Sequence, residues 1–232
     1  MADLLAAARA RLAAEGPAGL SLRAVARDLG LSSSAVYRYV DSRDALLTAL
    51  IIEAYDEVGT VCESAAAAAF AQSDDPGEAW LATGHAFRGW ALANRSSFEL
   101  IYGTPVPGYA APRDTVDSAA RLWGVIETIL LTAKAAGSLE PAGPTFDGTG
   151  LVGAEVIEFA RAHLATATGA DVEPPTEVEL TRSITLWVSL VGAVSAEVFG
   201  HLHGIAVDYA RTFEITLATA AAGVGLRIDL EG

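Results

Sequence analysis

The chain has 232 residues, 52 % of them hydrophobic, and a formal charge of −14 at pH 7. That length suffices for one large domain or two small ones with an ample core, while the apolar stretches are interrupted by charge or proline before they reach membrane-spanning length. The single cysteine, Cys62, excludes an intramolecular disulfide framework and argues against a cysteine-built zinc site. Frequent alanine and scarce strand-like alternation point to an all-α fold. The first sixteen residues, amphipathic and without an apolar signal core or cleavage site, lead us to expect a cytoplasmic protein.

In chain order, residues 2–14 read as an amphipathic helix stopped by "EGPAG". In "SLRAVARDLG", Leu22, Val25, Ala26 and Leu29 fall at i, i+3, i+4 and i+7, the stripe of a second, short helix. Ser21 is its candidate N-cap and Gly30 the residue that turns left-handed after it. Ser32 is placed to cap a third helix reaching about Tyr39. Asp41 or Ser42 is placed to cap a fourth, from Arg43 to about Phe70. Pro76 suits the first turn of the next helix, which runs to about Asn94 and precedes a short one at 95–102. "YGTPVPGYAAP" (102–112), with three prolines and two glycines, is a loop. Further helices are expected over 113–136, about 150–167, 176–202 and 205–222.

Charge is unevenly shared. Residues 1–47 hold six arginines (9, 11, 23, 27, 38, 43) and five acids (3, 15, 28, 41, 44), leaving +1 there and −15 for residues 48–232. An acidic body repels nucleic acid, whereas a nearly neutral head with local arginines need not. On a wheel of about 100° per residue, Ala35, Val36, Tyr39 and Val40 share one side of the third helix, while Ser33, Ser34, Tyr37 and Arg38 share the other. Short hydroxyls for close approach, donors for phosphate and a cation able to read guanine are what a major-groove helix needs. The same pattern also fits a plain helical hairpin with a solvated face.

The segment "GLSLRAVARDLGLSSSAVYRYVDSRDALLTAL" (19–50) resembles the DNA-binding segment of the tetracycline-repressor (TetR) family of bacterial transcriptional regulators. The match covers the apolar-Ala-x-x-Leu-Gly-apolar-Ser run, the apolar-Tyr-x-aromatic-apolar run, a basic residue three positions on, and Leu-Leu. The resemblance implies a helix-turn-helix domain over residues 1–47 and a helical ligand-binding and dimerisation domain over 48–232. It also implies DNA contacts by Ser21, Arg23, Ser33, Ser34, Tyr37, Arg38 and Arg43. Tyr39 stands where the family commonly has histidine, and the wheel turns it toward the core, with its hydroxyl at most on a phosphate.

In the second domain Trp80, Phe87 and Trp90 recur on one helix, followed by Phe98, Tyr102 and Trp123. Such spacing suits ordinary core as well as a pocket; the resemblance implies the pocket, for a largely apolar small molecule. "FELIYGTPVPGYAAP" and "LWVSLVGAVSAEVFGHLHG" resemble a subgroup with a Trp-His-Gly signature, of which Trp187 and Gly192 are present and Val191 replaces the histidine. Ser189, Gly192, Ala193, Ser195, Ala196, Ala218, Ala221 and Ala222 give the last two long helices small faces. These fit packing within one subunit or, as the resemblance implies, a homodimer bundle.

"GTGLVG" (148–153) has dinucleotide-site spacing, but no strand precedes it. Glu197, His201 and His203 suit a helix end better than a metal site. No cofactor and no catalytic residues are expected. The leading expectation is a DNA-binding repressor released from a palindromic operator by a small molecule; the alternative is a helical carrier or enzyme with a vestigial head.

Overall fold

The computed structural model describes residues 1–167 and 173–230, and among them it is helical with no strand. The helices are α1 Ala2–Gly19, α2 Leu22–Asp28, α3 Ser33–Val36, α4 Arg43–Gln72, α5 Pro76–Ala93, α6 Arg95–Tyr102, α7 Val116–Ala135, α8 Ala154–Ala167, α9 Glu177–Val198 and α10 Tyr209–Val224. A 3-10 turn, Arg113–Thr115, leads into α7. Most boundaries lie within a few residues of those expected from sequence punctuation. In α1 the break falls at Gly16 (φ 69°, ψ 177°), inside the predicted "EGPAG" stop.

The chain packs as two compact units. One comprises Met1–Gly59 with Trp90–Arg121, the other Thr60–Gly89 with the residues from Leu122 onward. In the first, α1 packs on α2 and α6, and α2 packs on α3. Its core joins Ala8 and Leu12 of α1, Val25 and Ala26 of α2, and Val36, Val40, Leu46 and Leu50 to Leu100 and Val106. Burying a side chain such as the fully covered Val36 contributes roughly 1.5–3 kcal/mol. The Arg11 guanidinium forks onto the Asp28 carboxylate (Nη2–Oδ1 2.8 Å) and so ties α1 to the end of α2.

The turn between α2 and α3 is closed entirely by backbone. The Leu31 N–H donates to the Ala26 carbonyl at 2.9 Å and the Gly30 N–H to the Arg27 carbonyl at 3.1 Å, with Gly30 at φ 64°. This is the paired closure that a left-handed residue after a helix permits. Ser21, Ser32 and Ser42 each accept a backbone N–H three residues on, from Ala24, Ala35 and Ala45.

The third helix departs from expectation. It ends at Val36 instead of reaching Tyr39, because Arg38 and Tyr39 donate to carbonyls three residues back, Ala35 and Val36, and tighten the chain into turns. The helical wheel therefore loses its phase there. Val36 and Val40 remain buried, but Tyr39, expected to pack toward the core, is 55 % exposed.

In the second unit α9 packs along α10. A reciprocal capping box opens α9: Thr176 Oγ1 accepts the Glu179 N–H at 3.2 Å while the Glu179 carboxylate accepts the Thr176 N–H at 2.7 Å. Arg88 forks onto Glu197 at 2.6 and 2.7 Å, so this carboxylate, weighed in sequence as a metal ligand, serves as the acceptor of an ion pair. "GTGLVG" is loop leading to α8, with no strand before it among the described residues. Glu127, only 2 % exposed on α7, is the one buried acid among the described residues of this unit. Burial pushes its carboxyl up from 4.5 to about 7, against the lowering effect of the Ser183 hydroxyl and with a smaller push from the Glu179 charge.

Two outcomes are expected. A Cβ at Gly30 meets no atom within 4 Å, so Gly30→Ala carries backbone strain alone; it lowers stability by ~1–2 kcal/mol, read from the urea midpoint. Glu127 has a raised folded pKa, so its contribution is fully present below the ordinary value of 4.5 and is lost as pH rises through about 7. Glu127→Gln, which removes that titration, gains on the wild type by up to ~3 kcal/mol between about pH 5 and about pH 8. A pH-independent difference in urea stability contradicts a buried neutral acid.

Candidate nucleic-acid interface

The head arranges its polar groups on the short α2–turn–α3 element. Ser21, Arg23, Ser34, Tyr37, Arg38 and Tyr39 are exposed, and Ser33 is half-buried at the start of α3. Tyr37 and Tyr39 are 49 % and 55 % exposed, large aromatic areas to leave in water on a surface of this size. Ser21 spends a lone pair on the Ala24 N–H, which leaves its hydroxyl proton free to donate. Ser32 and Ser34 share a hydrogen bond of 3.0 Å across the first turn of α3.

The arginines divide by partner. Arg9 pairs with Glu53, and Arg11 with Asp28 and Glu15. Arg43 donates Nε to the Leu20 carbonyl at 3.0 Å and Nη2 to the Pro17 carbonyl at 2.8 Å, and lies 3.6 Å from Asp44. It therefore ties the end of α1 to the start of α4, a role its sequence position did not reveal. Arg23 and Arg38 have no acidic partner among the described residues, and both are exposed. Arg27, exposed on α2 four residues after Arg23, was passed over in sequence, although that spacing puts both on one helical face.

The six aromatics expected around a ligand are split between the units. In the first, Phe98 is fully buried with its ring 5.2 Å from Tyr102, which also meets Tyr55 edge-on at 5.9 Å. Trp90 is nearly buried and its indole N–H faces Glu57 at 3.4 Å. In the second, Trp80 and Phe87 are fully buried, Trp80 donating to the Leu217 carbonyl at 3.2 Å. Trp123 donates to Ser183 Oγ at 3.1 Å and lies 5.3 Å from the Phe159 ring.

None of these six lines the three cavities described next. The first unit holds one of about 500 Å³ among Ile51, Tyr55, Leu100, Val106 and Tyr109. The second holds one of about 330 Å³ among Glu127, Leu130, Leu131, Leu139 and Val224, and another of about 390 Å³ beside Glu140 and Arg227. No helix among the described residues is long and apolar enough to cross a membrane, and no cluster of metal-binding side chains occurs among them.

Comparison with known proteins agrees with this arrangement. Residues 4–50 match the family of bacterial regulatory proteins called the tetR family, and residues 80–220 match the tetracyclin repressor-like C-terminal domain. The chain is 37 % identical over 204 residues to HTH-type transcriptional regulators of Mycobacterium bovis and Mycobacterium tuberculosis, covering 86 % of this chain and 80 % of theirs. The crystal structure of the regulatory protein SCO4313 superposes with a TM-score of 0.69 at 35 % identity, over 94 % of this chain and 93 % of that one. A tetR-family regulatory protein from Rhodococcus RHA1 shares the fold at 18 % identity, with a TM-score of 0.62 over 98 % and 97 % of the two chains. An exposed helix-turn-helix, an all-helical chain and these matches lead to one conclusion: the chain belongs to the TetR family of transcriptional regulators.

Proposed function

We propose that the chain is a homodimeric repressor that binds a palindromic operator through its N-terminal head, residues 1–47, and is released from it by a small molecule. The observation that carries the reading is the allotment of arginine partners: Arg9, Arg11 and Arg43 are engaged within the fold, while Arg23 and Arg38 stand exposed without an acid. Free cations at this site draw phosphate, and the positive end of α3 adds to them.

In this reading Ser21, Ser33 and Ser34 donate to phosphates, Arg23 grips the backbone, and Tyr37 and Arg38 reach base edges. Tyr39, exposed by the early end of α3, lies within reach of the backbone rather than in the packing. Arg43 acts through the position of α1 and α4 as well as through its charge. The dimer face is the outer side of α9 and α10, where Ile184, Val188 and Ile215 are 36 %, 53 % and 49 % exposed. A chain with this task works in the cytoplasm and performs no chemistry of its own.

The effector is small and largely apolar. For Trp80, Phe87, Trp90, Phe98, Tyr102 and Trp123 a contact with it requires their packing to open, whereas the cavity beside Glu127 is already formed. By linkage, an inducer binds the DNA-incompetent state more tightly. The helix α4, which begins in the head and whose residues are shared between the units, is the lever we favour.

Selection of bound sequences from a random duplex pool tests the reading. A two-fold symmetric site with half-sites roughly 34–36 Å apart, one turn of DNA, or somewhat more is the expected result. No enrichment and no salt-sensitive binding to any fragment replaces this reading with a carrier or enzyme bearing a vestigial head. On the selected site, Arg38→Ala relaxes base preference at one position per half-site. Arg43→Ala weakens binding to every duplex and also lowers thermal stability, because the Pro17 and Leu20 carbonyls each lose a guanidinium donor.

A further inference from the structure

The second unit contains a polar group that its own fold does not satisfy. Glu127 is 2 % exposed, and its Oε1 has no hydrogen-bond partner among the described residues. The side chains around it are engaged elsewhere. Ser183 reaches the carboxyl with its hydroxyl, but that hydroxyl also lies 2.8 Å from the Leu180 carbonyl and accepts from Trp123 Nε1 at 3.1 Å, and it leaves Oε1 without a partner. Lys134 is paired with Glu179 at 3.0 Å, and Arg182 donates to the Pro144 carbonyl at 3.2 Å with its guanidinium over the Phe146 ring. A buried polar atom left this way is costly to keep, and in folded proteins each such group calls for an explanation, of which a bound partner is one.

The space for that partner adjoins it. Glu127 borders the cavity of about 330 Å³, whose walls are largely apolar, with Leu130, Leu131, Leu139 and Val224 among them. That size lies at the lower end for small-molecule sites. The charged residues bordering the same space are Lys134, Glu179 and Arg182. Lys134 and Glu179 cancel one another, and Arg182 is turned to a carbonyl and a ring. The unmet requirement is thus a donor at Glu127 with a hydrocarbon body behind it. A carboxylate torsion is broad and two-fold, so either oxygen can present to that donor.

We propose that this cavity is the effector site and that it takes a small apolar amine, whose ammonium donates to the Glu127 carboxylate while its hydrocarbon part covers the leucine walls. An ammonium supplies hydrogen bond and countercharge together and so holds Glu127 ionised against its burial, which neither an alcohol nor a carboxylate ligand can do. The effector role rests on the regulator reading; amine binding does not, and is measured without DNA.

The test is calorimetric titration of the full chain with phenylbutylamine, phenylbutanol and phenylbutyrate, three probes with one apolar body. The wild type binds the amine at least about tenfold more tightly than the alcohol, the size of a charge-assisted bond. Glu127→Gln keeps the alcohol affinity within about threefold and loses the preference, with circular dichroism reporting that it is folded. Leu130→Trp, which fills the cavity, abolishes binding of both. Equal binding of amine and alcohol, tighter binding of phenylbutyrate, no binding of any probe at millimolar concentration, or a preference that survives Glu127→Gln overturns the assignment. An amine that binds through Glu127 yet leaves retention of a selected DNA duplex unchanged keeps the amine site and removes its effector role.

Discussion

The head depends on one backbone constraint, the left-handed residue between its second and third helices. With Gly30 at φ 64°, the Gly30 and Leu31 N–H groups can both return to the end of α2. That closure satisfies carbonyls which would otherwise need water, and it sets where Ser32 begins the next helix. Everything the head presents follows from it. Val36 and Val40 reach the core shared with α1 and α6, and the serines, tyrosines and Arg38 are left on the other side. Because α3 is only four residues long, it cannot hold its own orientation by internal hydrogen bonds. Its orientation is borrowed from α2, on which it packs, and from the core that Val36 shares with Val25, Ala26 and Leu46.

Within this frame the arginines are sorted by geometry rather than by number. Those that tie elements together have a carboxylate or a pair of carbonyls within reach, as Arg11 has Asp28 and Arg43 has Pro17 and Leu20. Arg23 on α2 and Arg38 after α3 have none, while Arg27 lies near enough to Asp28 for its charge to lower that carboxyl. A formal charge of −14 is no obstacle to DNA binding when the excess acid lies after residue 47 and the head keeps two uncommitted guanidinium groups. The same division appears in the second unit with opposite meaning. Arg88 and Lys134 are matched with Glu197 and Glu179, and the group left over is an acid, Glu127, against a cavity. Each unit thus leaves a different group unmatched, exposed guanidinium groups in the head and a buried acid beside a cavity in the other.

Much of the fold was legible in local residues. Ser21, Gly30, Ser32, Ser42 and Pro76 punctuate the helices as capping chemistry requires, and the prolines of 102–112 keep that stretch from becoming helix. The polar set of the head was legible as well, since hydroxyls and an arginine on one side of a short periodic stretch are a local pattern. Tyr39 was misjudged for a definite reason: the wheel assumes an unbroken α-helix, and three-residue turns after Val36 change the angle per residue. The aromatic set was harder. Trp80, Phe87 and Trp90 recur at helical spacing whether they line a pocket or fill a core, and their burial is a property of neighbours distant in sequence.

The sequence by itself determined an all-helical chain, a glycine-turned helix pair near its start, and membership of a regulator family, because caps, turns and motif spacing act over a few residues. Only the tertiary structure decided which arginines remain free, that Arg43 bridges α1 and α4, and that α6 packs on α1. It also decided that Glu127 is a buried acid beside a cavity and not one more charge on a solvated helix. Each of these depends on a partner far along the chain, such as Pro17 for Arg43 or Val224 for the cavity near Glu127. No window of a few residues contains both members of such a pair. The physical reason is that burial and partner choice are properties of packed space, whereas capping and periodicity are properties of the local backbone.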